Sequence, residues 1–213
     1  MYHPNYDSLV QFASEGKFEQ ELQLAKIEFT SSTGDLFESD FDFESRIASF
    51  LEWYTLDRMV SIASNASPAK LYIEHVSPNL TTPEIQALRT LTRTILSVFE
   101  IKKMKNEAIR LVDILTNEKY DAQTRSPLAG IQPGDLIEGR LQFDNQEPWL
   151  SDIVYLQPRV AKKSILKAAK AYRKNRPAYP RVQMVQRVAF LRNRAVRYSH
   201  VDPLKIFEDL SAA

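Results

Sequence analysis

Residues 98–114 read VFEIKKMKNEAIRLVDI, and this stretch decides the fold class because its apolar residues alternate instead of recurring at helical spacing. An alternating pattern is typical of half-buried strands, so residues 98–102 and 108–114 are predicted to form two strands. In the preceding part of the chain, apolar residues recur every three or four positions, which predicts helices. The chain therefore changes from helices to strands at about Val98.

Three further strands are predicted after this pair, at residues 119–122, 136–141 and 151–156. The turn Pro133-Gly134-Asp135 leads back into the sheet, because proline presets φ and glycine accepts a positive φ. Short strands, tight turns and a glycine inside a strand are typical of a small antiparallel β-barrel or rolled sheet.

Helical periodicity returns after Pro158 and continues towards the end of the chain. We therefore predict an α+β fold in three parts. They are an N-terminal helical region at 1–95, a small antiparallel β-barrel or rolled sheet at 96–157, and basic C-terminal helices at 158–213 packed on the rest.

Charge is distributed unevenly along the chain, although the formal net charge is only +1. Between Asp152 and Asp202 there are thirteen basic residues and no acidic one. The first 46 residues have the opposite bias, with ten acidic residues and three basic ones. Such asymmetry is typical of a surface that binds something acidic, either a nucleic acid or the other end of the protein itself.

The basic C-terminal helices are the first candidate site, because clustered lysines and arginines neutralise phosphates. Aromatic residues lie among them and are candidates for stacking on bases. No zinc finger, clear helix-turn-helix or RNP1 pattern accompanies them. A solvated helical face, or one docked on the acidic N-terminal helices, is the competing interpretation. The candidate binding residues are Lys163, Lys167, Lys170, Arg173, Lys174, Arg176, Arg181, Arg187, Arg194 and Arg197.

A second candidate site for a partner lies in the predicted helix around Trp53. Trp53 and Asp57 are four residues apart and share a helix face, and Arg58 follows directly. These residues could hold a partner. We favour a structural interpretation, a core tryptophan with a salt bridge that anchors the helix to the barrel, because tryptophan is usually buried and arginine often pairs structurally.

The residue inventory argues against most catalytic classes. The chain contains no cysteine, which excludes disulfides, thiolate zinc sites and cysteine nucleophiles. His3, His75 and His200 are far apart and have no ligand or base at metal-site spacing. The five glycines form no phosphate-binding loop. We therefore predict no catalytic residues, no metal and no cofactor, and rank an enzyme without a recognisable motif last.

No signal peptide is visible at the N-terminus, and no window is apolar enough for a membrane span. The expected location is therefore the cytoplasm.

Four segments together resemble a known group of proteins. They are FLEWYTLDR at 50–58, VFEI at 98–101, LVDILT at 111–116 and PGDLI at 133–137. In this order and spacing the chain resembles poorly characterised bacterial proteins, some of which carry a cysteine-rich, zinc-binding SEC-C motif. The resemblance covers residues 45–157 and implies a helical segment followed by a small β-domain, but no activity. The zinc motif is missing here because the chain has no cysteine.

The sequence therefore predicts a non-enzymatic cytoplasmic binding or regulatory protein. Its basic C-terminal helices are expected to bind an acidic partner, with nucleic acid the first candidate. The alternative is a protein–protein interaction adaptor, or a self-associating protein (a homo-oligomer) in which the acidic N-terminus neutralises the basic C-terminus.

Overall fold

The computed structural model describes residues 3–63, 66–144, 147–175, 179–208 and 210. Within these residues the chain forms eight α-helices and five β-strands, which confirms the predicted α+β class. The chain divides into two compact units. The first, the helical unit, comprises Met1–Ser31 and Asp35–Thr94, and the second, the sheet unit, comprises Ser32–Gly34 and Ile95–Ala213.

The first five helices precede the sheet. They are α1 (Tyr6–Phe12), α2 (Glu19–Thr33), α3 (Phe43–Leu56), α4 (Pro68–Val76) and α5 (Thr82–Arg89). Gly16 lies between α1 and α2 at φ +57°, where L side chains are disfavoured, so the chain is divided into two helices at this glycine. At the start of α5, Thr81 and Glu84 form a capping box that satisfies backbone donors of the first turn.

Two groups of apolar side chains hold the helical unit together. One group is a buried cluster formed by Leu9, Ala69, Tyr72, Leu88 and Leu91. The other is aromatic: the ring of Phe29 lies 5.4 Å from that of Phe50 and 5.5 Å from that of Trp53. Helices α2 and α3 are therefore joined by ring contacts, which stabilise aromatic pairs beyond the area they bury.

The five strands of the sheet unit form one sheet. They are β1 (Thr94–Lys105), β2 (Ala108–Asp113), β3 (Lys119–Gln123), β4 (Leu136–Asp144) and β5 (Glu147–Leu156). Their order is β1-β2-β3-β5-β4, and it closes on itself. Gly134 N donates to Ile101 O and Ile101 N donates to Asp135 O, which ties the residues before β4 to the middle of β1.

The prediction of an antiparallel sheet is wrong at one position. Strand β3 pairs with β5 in parallel, with Gln123 opposite Trp149, so the sheet is mixed. The β1–β2, β2–β3 and β4–β5 pairs are antiparallel. The parallel pair arises because β4 is inserted between β3 and β5 along the chain and forms a hairpin with β5. Alternation of apolar residues reveals a strand but not the direction of its neighbour.

The change from helix to strand comes earlier than the predicted Val98. Helix α5 ends at Arg89 and β1 begins at Thr94, so Leu96 belongs to the strand. Isolated apolar residues such as Leu96 fit both periods, which is why the boundary was misplaced.

Three helices follow the sheet: α6 (Lys162–Lys174), α7 (Arg181–Arg197) and α8 (Pro203–Glu208). They cover one end of the sheet, where Val98, Ile114 and Leu136 belong to a buried cluster with residues of all three helices. From α6 this cluster takes Ile165 and Ala169. The charged residues of α6 therefore lie on its other faces, away from this cluster. A second cluster, containing Phe99, Ile101, Leu111, Ile137 and Leu141, fills the interior of the sheet.

Candidate functional site

The most distinctive surface of the sheet unit is a row of lysines on α6. Lys163, Lys167, Lys170 and Lys174 follow each other at spacings of four, three and four residues, which places them on one face of the helix. All four are exposed, whereas Ile165, Ala168 and Ala169 of the same helix are buried. We call these four residues the lysine stripe.

The lysine stripe has no salt-bridge partner in the part of the chain that the structure describes. Among the residues that the structure describes, none of the four lysines takes part in a salt bridge or a side-chain hydrogen bond. Helix α6 itself contains no aspartate or glutamate. The stripe is therefore a continuous positive surface, unlike ordinary surfaces on which both signs are mixed.

Two basic residues just before or at the start of α6 fix the helix to the sheet. Arg159 Nε donates to Asp135 Oδ1 at 2.7 Å, and this arginine holds the pKa of the Asp135 carboxyl below its usual range. Lys162 Nζ donates to Glu100 Oε1 at 2.9 Å and to the carbonyl oxygen of Gly134 at 2.5 Å. Burial alone would raise the pKa of Glu100, but hydrogen bonds from Lys102 and Lys162 lower it below the usual value.

Arg173 and Arg181, both predicted as binding residues, also contact the sheet. The guanidinium of Arg173 donates to the carbonyl oxygen of Ile114. Arg181 Nη1 lies 3.4 Å from Oδ2 of Asp113, a fully buried carboxylate whose Oδ1 accepts a hydrogen bond from Ser97 Oγ at 2.7 Å. Both arginines thus have structural roles.

The arginines of α7 are also engaged. The guanidinium of Arg194 lies 5.7 Å from the centre of the Phe190 ring, and Arg187, Arg194 and Arg197 each have an interaction partner in the folded chain. Arg192 is buried, with its guanidinium 4.3 Å from the centre of the Tyr155 ring. The remaining predicted residue, Arg176, lies outside the described residues. Of the ten predicted residues, the structure therefore brings four together on one open face.

The second predicted site, around Trp53, lies mostly inside the helical unit. Trp53 is buried against Phe29 and Phe50, and Asp57, at the end of α3, is half-buried and has a partner. Arg58 is 8% exposed. Little of this group is accessible to another molecule.

Arg58 forms the expected structural salt bridge, but with Glu21 and Glu28 of α2, and these partners were not predicted from the sequence. Its Nη1 donates to Glu21 Oε2 at 2.6 Å, and its Nε donates to Glu28 Oε2 at 2.7 Å. Glu21 is 2% exposed and also accepts hydrogen bonds from the backbone and hydroxyl of Ser61. No local pattern could have revealed this cluster, because Glu21 and Arg58 are 37 residues apart.

The cluster keeps both glutamates ionised. Burial would raise the pKa of Glu21, but the hydrogen bonds from Ser61 and Arg58 outweigh it and lower the pKa. The hydrogen bonds from Arg58 also lower the pKa of Glu28, and they raise the pKa of Arg58 itself. A buried charge that is paired and hydrogen-bonded in this way is an anchor of the fold.

A metal centre is not visible in the described part of the chain, where no three histidine, cysteine, aspartate or glutamate side chains come together. Across the same residues, no helix combines the length and the hydrophobicity that a membrane crossing requires.

No family model, no curated protein and no solved structure matches the chain. The candidate site therefore has to be interpreted from its own geometry and charge.

Proposed function

We propose that this protein binds nucleic acid through the lysine stripe of α6. The observation that carries the proposal is that four exposed lysines share one helix face and have no acidic partner among the described residues. Apart from Arg176, which lies outside the described residues, the other basic residues of the predicted site contact the sheet or have partners elsewhere, so the stripe is the part left for a ligand.

The spacing of the stripe suits a phosphate backbone. With a rise of about 1.5 Å per residue, Lys163 and Lys174 are separated by about 17 Å along the helix. Neighbouring lysines of the stripe have Cβ atoms roughly 5–6 Å apart. Flexible ammonium groups at this spacing can each neutralise a phosphate of an extended strand, and the release of counterions supplies the affinity.

This is a proposal for a non-enzymatic binding or regulatory protein that works in the cytoplasm. Kinship with the bacterial proteins that carry SEC-C motifs is part of the same proposal and rests on the four segments between residues 50 and 137. The proposal does not depend on that kinship, because the stripe lies outside the segments that carry the resemblance.

Binding is expected to weaken steeply with salt. Each phosphate neutralised on a single strand contributes about −0.7 to the slope of log K against log salt, so four lysines give a slope of about −3. We would measure it by fluorescence anisotropy with labelled single- and double-stranded DNA and RNA between low and physiological salt. Absence of binding at the lowest salt would overturn the proposal.

Self-association is the second candidate function, and a group of exposed apolar side chains favours it. In the helical unit, Ile27 is 64% exposed and Met59 51% exposed, and Leu24 and Ile62 are also exposed. Leu24 lies between Glu21 and Glu28 on α2, and the loop with Met59 and Ile62 is held to those glutamates through Arg58 and Ser61. Clustered exposed apolar residues are typical of surfaces that bind another protein.

If a second copy of this chain covers these residues, the double variant Ile27→Lys/Met59→Lys should be a monomer under conditions in which the wild type is a dimer. The reason is that each substitution places an unpaired charge in the interface. Sedimentation velocity at several protein concentrations and at two salt concentrations checks this. A wild type that remains monomeric at the highest concentration would exclude the second candidate.

A further inference from the structure

The outer face of the sheet carries an aromatic side chain in a row of paired residues. Ala108 pairs with Lys105 on β1 and with Gln123 on β3, and Gln123 pairs with Trp149 on β5. Directly paired residues project from the same face of a sheet. Ile109, Ala122 and Leu150, each next in sequence to a member of the row, are buried in the interior of the sheet. The row therefore faces outwards, and Trp149 is half-exposed on it.

A groove runs beside this row and is mainly basic. Lys103, Lys105 and Arg110 line it, together with Ala108, Asp121 and Gln123. Arg110 neutralises the one carboxylate in the groove, with its Nε 2.7 Å from Asp121 Oδ1 and its Nη2 2.9 Å from Oδ2. Lys103 also helps to lower the pKa of the Asp121 carboxyl, but three basic side chains against this carboxylate leave the groove with a net positive charge for a ligand.

A further guanidinium accompanies the aromatic ring. Arg125, which follows β3, places its guanidinium 5.0 Å from the centre of the Trp149 ring. A cation beside an aromatic face is an arrangement that proteins use to stack nucleic-acid bases. The groove thus offers positive charge and a stacking surface side by side.

Positive side chains connect this groove to the lysine stripe. The Glu100 carboxylate accepts a hydrogen bond from Lys162 at 2.9 Å and another from Lys102 at 2.6 Å. Lys162 begins α6 and precedes the first lysine of the stripe, and Lys102 precedes Lys103 on β1. From Glu100 to Lys105, β1 covers about 17 Å at about 3.3 Å per residue. The basic surface therefore continues from α6 onto the outer face of β1.

We infer that the ligand is a single-stranded nucleic acid that extends from the lysine stripe across β1 to the groove, where one base stacks on Trp149. This inference rests on the proposed function and specifies its ligand. A duplex hides its base faces, whereas a single strand offers them to an aromatic ring. A strand of about ten nucleotides or more is expected to be needed, in the range that small closed sheets with such grooves occupy.

The test uses a labelled oligothymidine of twenty nucleotides, one of five nucleotides and a labelled twenty-base-pair duplex. In a Trp53→Phe background, Trp149 is the only tryptophan, so its fluorescence reports on the groove alone. The long single strand is expected to quench this fluorescence and to bind about tenfold tighter than the duplex or the short strand. Trp149→Ala should lose about tenfold in affinity for the long strand only, and Trp149→Phe should retain most of it, because a phenyl ring still stacks.

The second measurement is the salt dependence of binding by the variant Lys103→Gln/Lys105→Gln, whose two substitutions lie outside the buried core. For the long strand, the slope of log K against log salt is expected to become less negative by about one to two. The affinity for the five-nucleotide strand should not change. Unchanged Trp149 fluorescence, together with wild-type affinity of this variant, would overturn the inference and leave the lysine stripe as the whole site. If the wild type binds none of the three probes, the proposed function itself fails, so the two failures are distinguishable.

Discussion

Arg58→Ala is expected to destabilise the helical unit by about 3–5 kcal/mol, because it leaves the buried Glu21 carboxylate without its partner. Removing one member of a buried ion pair costs more than the pair contributes, since the remaining charge is both desolvated and unpaired. The free energy of unfolding would be measured by urea titration in a Trp149→Phe background, in which Trp53 reports on the helical unit alone.

Arg110→Ala provides the matched control for this substitution. Arg110 and Asp121 form an ion pair of similar geometry, but their side chains are 54% and 71% exposed. Exposed pairs contribute little to stability, so this variant should be nearly as stable as the wild type when both are followed by Trp149 fluorescence in a Trp53→Phe background. Equal losses in the two variants would contradict the role assigned to the buried cluster.

The same cluster contributes to the way in which the stability of the helical unit depends on acid. The pKa of Glu21 is lower in the folded chain than in the unfolded one, so in acid the unfolded chain binds the extra proton. This contribution to stability is present above the usual glutamate pKa and is lost as the pH falls through the lowered value. In Arg58→Ala this acid dependence should weaken, because the hydrogen bonds from Arg58 that lower the pKa of Glu21 are lost while those from Ser61 remain. Urea titrations of the wild type and of Arg58→Ala between pH 3 and pH 7 would measure how the free energy of unfolding of each depends on pH.

Replacing all four residues of the lysine stripe by glutamine is the second change with a large expected effect. The affinity for single-stranded nucleic acid should fall about 100-fold or more at about 0.1 M salt, and the slope of log K against log salt should become less negative by about three. Glutamine is chosen because its helix propensity is close to that of lysine, so α6 should persist. Anisotropy measures the affinity, and circular dichroism checks that the helix content is unchanged.

The control for the stripe removes four lysines elsewhere. Lys17, Lys26, Lys70 and Lys119 are exposed, and their replacement by glutamine lowers the net charge by the same amount. If binding takes place on the lysine stripe, this control variant should bind single-stranded nucleic acid with nearly the affinity of the wild type. Equal loss in both quadruple variants would mean that only the overall charge matters, and the stripe would not be a site.

The alternating and helical patterns located most elements, and the spacing of four, three and four residues between the lysines of α6 located the stripe. Strands at 98–102, 108–114 and 119–122 correspond to β1, β2 and β3 because each has one face turned to the interior. Likewise, the four residues of the lysine stripe lie on a different face of α6 from its apolar residues, so their exposure could be predicted from the spacing alone.

What the patterns could not provide is the pairing of residues that are distant in the chain. The salt bridge between Arg181 and Asp113, like the one between Arg58 and Glu21, depends on tertiary structure. Net charge along the sequence therefore overstated the open basic surface, because it counted arginines that contact the sheet. The parallel pairing of β3 with β5 was missed for the same reason, since strand direction is decided by the connection and not by the strand itself.

The cluster that joins the end of the sheet to the last helices has a consequence for the order in which the protein folds during synthesis. Val98, from the first strand, packs in one core with Phe207 and Leu210. When all five strands have been synthesised, these partners are still missing. The apolar side chains at the end of the sheet therefore remain exposed to solvent until the last helix has left the ribosome. The helical unit has no such delay, because the apolar cluster around Leu9 and Leu91 is complete before the first strand is made. We therefore expect chaperones to bind nascent chains mainly at the stage of synthesis after β1 has emerged and before α8 has emerged.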